Sequence, residues 1–390
     1  MDRVKSDYYK FSTAVLSGIG LWPNGNTNIQ RFQIFVIIIA FSVFLIIQFI
    51  SMATQHYTVS GYISCVSPLS LSLGFFFKYL TFLIKSETIW KMSRDISYDW
   101  VTVENDEEVR ILTKYAYRGD RFGKMFAYIV WIPVFIGMTS HFSAEILDFL
   151  FPLNASRPHN YPFPLEYPGD REKYFYPYAI YVDFTFFVGC TTFVGTEALS
   201  TMYMHHVISL LKIVSYRIEN AISDSTNGSQ KCLADKGKEG LIKAIVLHTR
   251  VIKFTKLMEE HLSVSYTLLL ICGVIALSVN LFWLSQSISG VDDQMLIPST
   301  CILTIFIYMF YMNYLIQDVN DGRDDIFTAL YNSEWYRTPV TMQKLLLFIM
   351  LKTLKGEIFN LLVVFTPSFE GFATLVNTSV SYFMVMYSIQ

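Results

Sequence analysis

Charge is scarce in this sequence. Of its 390 residues, only 16% are Asp, Glu, Lys or Arg, whereas 53% are hydrophobic and 16% are aromatic. A soluble protein of this length would carry more charge and fewer apolar runs. The formal net charge is −2, so nothing in the composition indicates a nucleic-acid partner.

Cysteine is also rare, with five residues at Cys65, Cys190, Cys232, Cys272 and Cys301. Their odd number, and the apolar surroundings of all but Cys232, indicate free thiols rather than a disulfide framework or a metal site. His205, His206 and His248 have no metal-ligand spacing. No nucleophile–base pair, phosphate-binding loop or nucleotide motif occurs, so we predict neither a cofactor nor enzymatic activity. Residues 1–30 are polar, so we expect no signal peptide.

What the sequence does contain is a series of long apolar segments. Seven of them are long enough to cross a bilayer, and they occupy residues 32–53, 62–84, 125–147, 176–204, 262–288, 295–317 and 365–390. The fourth is expected to continue as a helix beyond the bilayer. Residues 85–124 form a charged connection, and the short apolar run at 345–351 indicates a cytoplasmic helix. We therefore predict an all-α, polytopic membrane protein with seven transmembrane helices.

The basic residues orient these spans. All but four of the 30 Lys and Arg residues lie in the N-terminal segment and in alternate connections, which the positive-inside rule places in the cytoplasm. Seven spans then predict a cytoplasmic N-terminus and an extracellular C-terminus. The glycosylation sequon at Asn154 lies outside the cell in this topology. A G-protein-coupled receptor has the opposite orientation, and its Asp-Arg-Tyr and Asn-Pro-x-x-Tyr motifs are missing here.

The last span carries a stripe of small and hydroxylated residues on one helical face, formed by Thr374, Thr378, Ser381, Val385 and Ser388. One interpretation is helix packing, in which small residues allow close approach and each hydroxyl bonds its own helix. The other is a pore lining, in which polar groups meet hydrated ions and an apolar constriction forms the gate.

Several motifs follow one another in the C-terminal third: AlaLeuTyr at 329–331, Trp335-Tyr336, a basic and apolar helix around 344–352, and SerValSerTyrPhe at 379–383. In a seven-span chain with an internal N-terminus, this order resembles the insect odorant receptor family. The motif resemblance covers residues 318–390, and the remainder is similar in topology and length. Gly356 departs from the family, since many members have proline there. The related gustatory receptors have a different C-terminal ending.

The resemblance implies an odorant-gated, non-selective cation channel in the plasma membrane of sensory neuron dendrites. Family members form heterotetramers of a tuning receptor with the odorant receptor co-receptor, so the implied partners are the co-receptor, a small volatile odorant and membrane lipid. It also implies three regions: a six-helix transmembrane bundle with the odorant pocket (1–317), a cytoplasmic anchor region (318–364) and a pore-lining last helix (365–390). The alternatives are a gustatory-receptor-like channel and a seven-span receptor or transporter without a pore.

The resemblance extends to the site residues. The pore and gate candidates are Thr378, Ser381, Val385, Ser388 and Ile389. Because residues 382–385 resemble the co-receptor's ending, Val385 and Ile389 are the implied gate. The odorant is implied to bind in the outer half of the bundle, where a pocket should be apolar and aromatic. The pocket candidates are Ser64, Pro68, Leu71, Ser72, Phe135, Met138, Thr139, Phe142, Tyr178, Tyr181, Val182, Thr185, Ile302, Ile305, Phe306 and Met309. Ordinary helix packing uses the same residue types, so we expect only some of them to contact ligand.

Four acidic residues stand near or within the spans. Asp183 and Glu197 lie inside the fourth span, where an acid either faces a wet cavity or pairs with Lys78, and we favour the ion pair. Asp292 and Asp293 lie in the short outer loop between the fifth and sixth spans. They form either a solvated turn or, in a tetramer, an acidic ring at the pore mouth that concentrates cations.

Overall fold

A computed structural model describes residues 8–22, 27–54, 59–103, 105–140, 142, 148–149, 173–226, 231–288, 295–355 and 367–389. Regular structure within these ranges is helical and includes no strand, which confirms the predicted all-α class. In chain order the helices are α1 (Lys10–Gly18), α2 (Thr27–Thr54), α3 (Val59–Ile84), α4 (Ser86–Thr102), α5 (Asp106–Ser140), α6 (Phe175–Thr226), α7 (Lys231–Ile288), α8 (Leu296–Asn332), α9 (Val340–Lys355) and α10 (Phe369–Ser388). A 3₁₀ turn, Trp335–Arg337, separates α8 from α9.

Six of the described helices are long and apolar enough to cross a membrane, through the segments Thr27–Ala53, Cys65–Ile84, Asp106–Thr139, Phe175–Thr226, Asp235–Ile288 and Leu296–Asn332. They contain the first six predicted spans or most of each. The seventh predicted span contains α10. Its 20 residues extend about 30 Å, enough for a bilayer core.

The two longest helices extend far beyond a bilayer. With 52 and 58 residues, α6 and α7 measure about 78 and 87 Å, whereas the hydrocarbon core is about 30 Å thick. The predicted continuation of the fourth span is therefore confirmed, since α6 reaches Thr226. The helices α1, α3, α5, α7 and α8 all pack against α6, which is the centre of the fold.

Close packing around α6 depends on glycine at two contacts. A Cβ atom on Gly195 would lie 3.0 Å from side-chain atoms of Val15 and Leu16, so glycine allows α1 to lie against α6. A Cβ atom on Gly189 would lie 2.6 Å from the ring of Phe75 on α3. Larger residues at these positions would force the neighbouring elements apart.

The charged connection predicted at residues 85–124 is helical. It comprises α4, which ends at Thr102, and the first half of α5, which begins at Asp106. The Asn105 side chain accepts a hydrogen bond from the backbone N–H of Glu107 at 3.0 Å and caps α5. Acidic residues in the first turn of α5 are favourable beside the positive end of the helix dipole. The region boundary predicted at 317/318 falls inside the continuous helix α8.

Buried charges hold the polar ends of the long helices together. Asp99 on α4 accepts from Arg250 on α7, with an Nε–Oδ1 distance of 3.1 Å, and its other oxygen lies 3.0 Å from Nε2 of His206 on α6. Arg217 on α6 donates two hydrogen bonds of 2.7 Å to the Glu108 carboxylate on α5. Bidentate pairs of this kind fix both distance and orientation.

Candidate ligand cavity and pore helix

A cavity of about 200 Å³ lies between α3, α5, α6, α7 and α8. Its lining is mainly apolar and includes the aromatic residues Phe75, Phe186, Phe193 and Tyr308 and the thiols Cys190, Cys272 and Cys301. The Thr304 hydroxyl donates to the Thr300 carbonyl of its own helix at 2.9 Å. An apolar wall with few polar groups suits a small, mainly hydrocarbon ligand.

Aromatic rings close the inner end of this cavity. The rings of Phe193 on α6 and Tyr308 on α8 meet edge to face with centroids 4.7 Å apart, and Phe75 on α3 lies 5.8 Å from Phe193. Aromatic rings at these distances attract one another. One end of the cavity is therefore lined by an aromatic cluster that joins three helices.

An ion pair lies directly beyond the aromatic end. Lys78 follows Phe75 by about one helical turn on α3, and Glu197 follows Phe193 by about one turn on α6. Their side chains form a salt bridge and are only 2% and 3% exposed, which confirms the predicted ion pair with the fourth span. The Tyr308 hydroxyl is buried close to Glu197. This tyrosine thus connects the cavity to the buried charges.

The structure brings four of the predicted pocket residues to the cavity, namely Leu71, Met138, Val182 and Ile305. The described cavity lining does not include Pro68, Ser72, Phe135, Thr139, Phe142, Tyr178, Tyr181, Thr185, Ile302, Phe306 or Met309. The Tyr181 hydroxyl instead donates to the Ala40 carbonyl of α2 at 2.7 Å. Phe135 is 53% exposed, and Met309 is buried in the core. The side chain of Ser64 lies outside the described residues.

Several lining residues were missed by sequence reasoning. Phe75 lies one turn inward from Leu71, and Tyr308 lies one turn inward from Ile305, so each continues the helical face of a predicted residue that lines the cavity. No residue of α7 was proposed, although Cys272 lines the cavity. Helical spacing could have found the residues on α3 and α8. The candidate residues were chosen only in the outer half of each span, and the same helical face continued inward would have included Phe75 and Tyr308.

The cavity-lining helix α8 also holds the start of α10. Phe306 and Phe310 on α8 contact the ring of Phe372 on α10 edge to face, with centroids 5.1 and 5.4 Å apart. The buried Asn313 side-chain oxygen accepts a hydrogen bond of 3.1 Å from the backbone N–H of Ser368, the N-cap residue of α10. The helix α8 therefore contacts both the cavity and the start of the last helix.

The hydroxylated stripe of α10 faces away from its own bundle. Gly371, Leu375 and Ser379 form the buried face of α10, whereas Val385 and Ile389 are 54% and 67% exposed. The stripe hydroxyls donate to carbonyls of their own helix, with distances of 2.8–3.0 Å. Thr374, Ser381, Val385 and Ser388 are exposed in a single chain and Thr378 is half-buried, so most of this face is available to a pore or to another subunit.

Three features noted in the sequence lie outside the described residues: the sequon at Asn154, the acidic pair Asp292 and Asp293, and the difference from the family at Gly356. Over the ranges that are described, no three His, Cys, Asp or Glu side chains are grouped to hold a metal ion.

Known proteins share this architecture. A protein-family model described as 7tm Odorant receptor matches residues 58–380. Odorant receptor 46a, isoform B, from Drosophila melanogaster is 26% identical over 148 residues, which span 36% of this chain and 37% of that receptor. The insect olfactory receptor OR5 from Machilis hrabei in complex with eugenol superposes with a TM-score of 0.79 at 13% identity, covering 99% of this chain and 98% of that one. A second structure of OR5 gives a TM-score of 0.76. At this identity the likeness to OR5 is one of fold.

Proposed function

Because this chain belongs to the 7tm odorant receptor family, we propose that it is the odorant-binding subunit of a heteromeric, odorant-gated, non-selective cation channel. It is a membrane receptor and not an enzyme. The observation that carries the proposal is the apolar cavity whose wall includes α8, together with the contacts that join α8 to α10. A ligand in the cavity and a pore along α10 would share one rigid helix.

The pore is proposed to lie along the hydroxylated stripe, with Val385 and Ile389 as the gate and Thr378, Ser381 and Ser388 along the lining. The exposure of this stripe in a single chain supports a central pore made by several subunits. A narrow apolar ring excludes ions because they cannot shed water without replacement ligands. The odorant can open it only by binding the open state more tightly than the closed state.

The partners and placement follow from the same proposal. The co-receptor supplies the remaining subunits, residues 318–364 contribute to the cytoplasmic anchor, and the channel lies in the plasma membrane of sensory neuron dendrites. The basic-residue distribution supports a cytoplasmic N-terminus. In that orientation Asn154 is extracellular and available for glycosylation.

The test is whole-cell recording during application of a panel of volatiles to cells that express this chain, the co-receptor, or both. We expect odorant-evoked cation currents that depend on this chain and require the co-receptor. Robust odorant currents from the chain alone would contradict the heteromer, and ligand binding without any current would favour a receptor or transporter without a pore.

A pair of matched substitutions tests the cavity. Thr304 lines the cavity, so Thr304→Phe places a phenyl ring in the volume that the ligand would occupy. This substitution should raise the odorant concentration that gives half-maximal current by about tenfold or more. Thr139 is exposed and outside the lining, so Thr139→Phe should leave the response unchanged. Equal effects of the two substitutions at matched surface expression would place the odorant elsewhere.

A further inference from the structure

Sulfur atoms surround the ligand cavity. Four of the five helices that enclose it each contribute one sulfur-containing side chain to the wall, namely Met138 from α5, Cys190 from α6, Cys272 from α7 and Cys301 from α8. The three cysteines are free thiols. The fifth helix, α3, contributes the ring of Phe75. Because a polarisable sulfur atom attracts an aromatic ring at a separation of about 5 Å, this wall offers favourable contacts to a ring from several sides.

Aromatic rings from three helices complete the wall. They belong to Phe75 on α3, Phe186 and Phe193 on α6, and Tyr308 on α8. Aromatic rings pair in offset or edge-to-face arrangements because each ring has a negative face and a positive edge, and such pairs gain attraction beyond the area that they bury. A ligand that carries an aromatic ring can extend this cluster. A saturated ring has no such charge distribution and gains only the burial of its surface.

The volume of the cavity limits the ligand to one ring. An apolar cavity of about 150 Å³ holds a benzene molecule, and the cavity here measures about 200 Å³. The remaining volume is about 50 Å³. Since a water molecule occupies about 30 Å³ in the liquid, this volume accommodates about two further non-hydrogen atoms. A single six-membered ring with a short substituent therefore fits, whereas a fused second ring does not.

We propose that the cavity selects neutral volatiles with a single aromatic ring and a short substituent over saturated compounds of the same shape. Hydrophobic burial alone does not produce this preference, since a cyclohexane ring carries more hydrogen atoms than a benzene ring and buries at least as much apolar surface. The preference comes from contacts of the ligand ring with the aromatic and sulfur-containing side chains of the wall. This inference rests on the proposed function and names the ligand class of the same site.

The experiment compares pairs of volatiles that differ only in the ring: benzaldehyde with cyclohexanecarbaldehyde, and methoxybenzene with methoxycyclohexane. Currents are recorded from cells that express this chain with the proposed co-receptor. Thermal stabilisation of the purified complex gives a second readout that does not require channel opening. We expect each aromatic compound to give its half-maximal current at a concentration roughly tenfold lower than its saturated partner. The two-ring compound 1-naphthaldehyde should act at least about tenfold more weakly than benzaldehyde.

Two substitutions to leucine test whether the wall causes the preference. Phe186→Leu removes a ring and Met138→Leu removes a sulfur atom from the cavity lining. Each should reduce the preference for the aromatic compound by about two- to tenfold and change the potency of the saturated compound by less than about threefold. The matched controls are Phe35→Leu and Met125→Leu, which alter exposed side chains outside the lining and should leave the preference unchanged.

The results separate this inference from the proposed function. Equal or greater potency of the saturated compounds would overturn the aromatic assignment, and so would responses to other volatiles with none to these aromatic compounds. A preference that persists in both the Phe186→Leu and the Met138→Leu proteins would also overturn it, because its cause would lie outside the wall. Equal potency of 1-naphthaldehyde and benzaldehyde would refute the limit to one ring. Silence toward every volatile would instead contradict the proposed function itself.

Discussion

Replacing Lys78 by methionine removes one charge from the buried ion pair that lies beyond the ligand cavity. Methionine keeps most of the length and the apolar stem of lysine, so the main change is a Glu197 carboxylate without its cation. Both side chains are almost fully buried, and water cannot screen the loss. Breaking a buried pair in this way costs about 3–5 kcal/mol, which lowers the ratio of folded to unfolded protein by roughly a hundredfold to several thousandfold.

The double substitution Lys78→Met with Glu197→Gln removes both charges and should recover most of the stability, to within about 2 kcal/mol of the original protein, since a neutral pair leaves no uncompensated charge. The assay is fluorescence-detected size-exclusion chromatography of the tagged chain, expressed with the proposed co-receptor, after heating in detergent. The control is Lys243→Met, which disrupts the ion pair of Lys243 with Glu239. These side chains are 66% and 68% exposed, so the substitution should lower the free energy of unfolding by at most about 1 kcal/mol.

Three outcomes would refute this reasoning about the ion pair. The Lys78→Met protein could melt at the same temperature as the original protein. The doubly substituted protein could be as unstable as the Lys78→Met protein, or Lys243→Met could lower the stability by as much as Lys78→Met. Each would mean that the buried pair is not the source of the effect.

Three other predictions concern the channel. Val385→Ser should raise the odorant-free leak current because it makes the apolar ring polar, whereas Phe383→Leu should not; equal basal conductance at matched surface expression would place the gate elsewhere. Asn313→Leu removes the acceptor for the Ser368 N–H at the start of α10, and leaving that buried donor unpaired costs about 1–3 kcal/mol. The substitution should lower the maximal odorant current while thermal stabilisation by odorant persists. An unchanged maximal current would mean that α8 and α10 are coupled through other contacts. Replacing Asp292 and Asp293 by asparagine should lower the calcium-to-sodium permeability ratio without shifting odorant sensitivity, and an unchanged ratio would favour a solvated turn.

The positions and order of the six long apolar helices that the structure describes could be predicted from the sequence, because a bilayer requires long uncharged runs and few other environments do. The ends of these helices could not be predicted from the sequence. Beyond their apolar segments, α6 continues to Thr226 and α8 continues past residue 318, and both extensions have an ordinary polar composition. Hydropathy therefore does not mark where these helices stop. Their long polar ends are stabilised by contacts between helices, such as the pairing of Arg217 with Glu108, that no local pattern reveals.

For the candidate site, the buried ion pair could be predicted from the sequence, whereas most of the apolar lining residues could not. The pairing of Lys78 with one of the fourth-span acids was predictable, because a charge inside a membrane has very few possible partners. Apolar lining residues have many possible neighbours, and the rotation and depth of each helix decide which of them border a cavity. Leu71 and Ile305 line the cavity, whereas the ring of Phe306, directly after Ile305 in the chain, contacts Phe372 on α10 instead.

The hydroxyl groups of α10 have a consequence for which ions would pass. A serine or threonine hydroxyl has one proton to donate and two lone pairs that can accept. Thr374, Thr378 and Ser381 give their protons to carbonyls of their own helix, so their oxygens are left as acceptors on the exposed face. In a pore lined by this face, successive rings of oxygen atoms would present partial negative charge to the water column. Such a lumen repels anions and solvates cations weakly, so it can distinguish the sign of an ion's charge without an acidic side chain and without selecting among cation species.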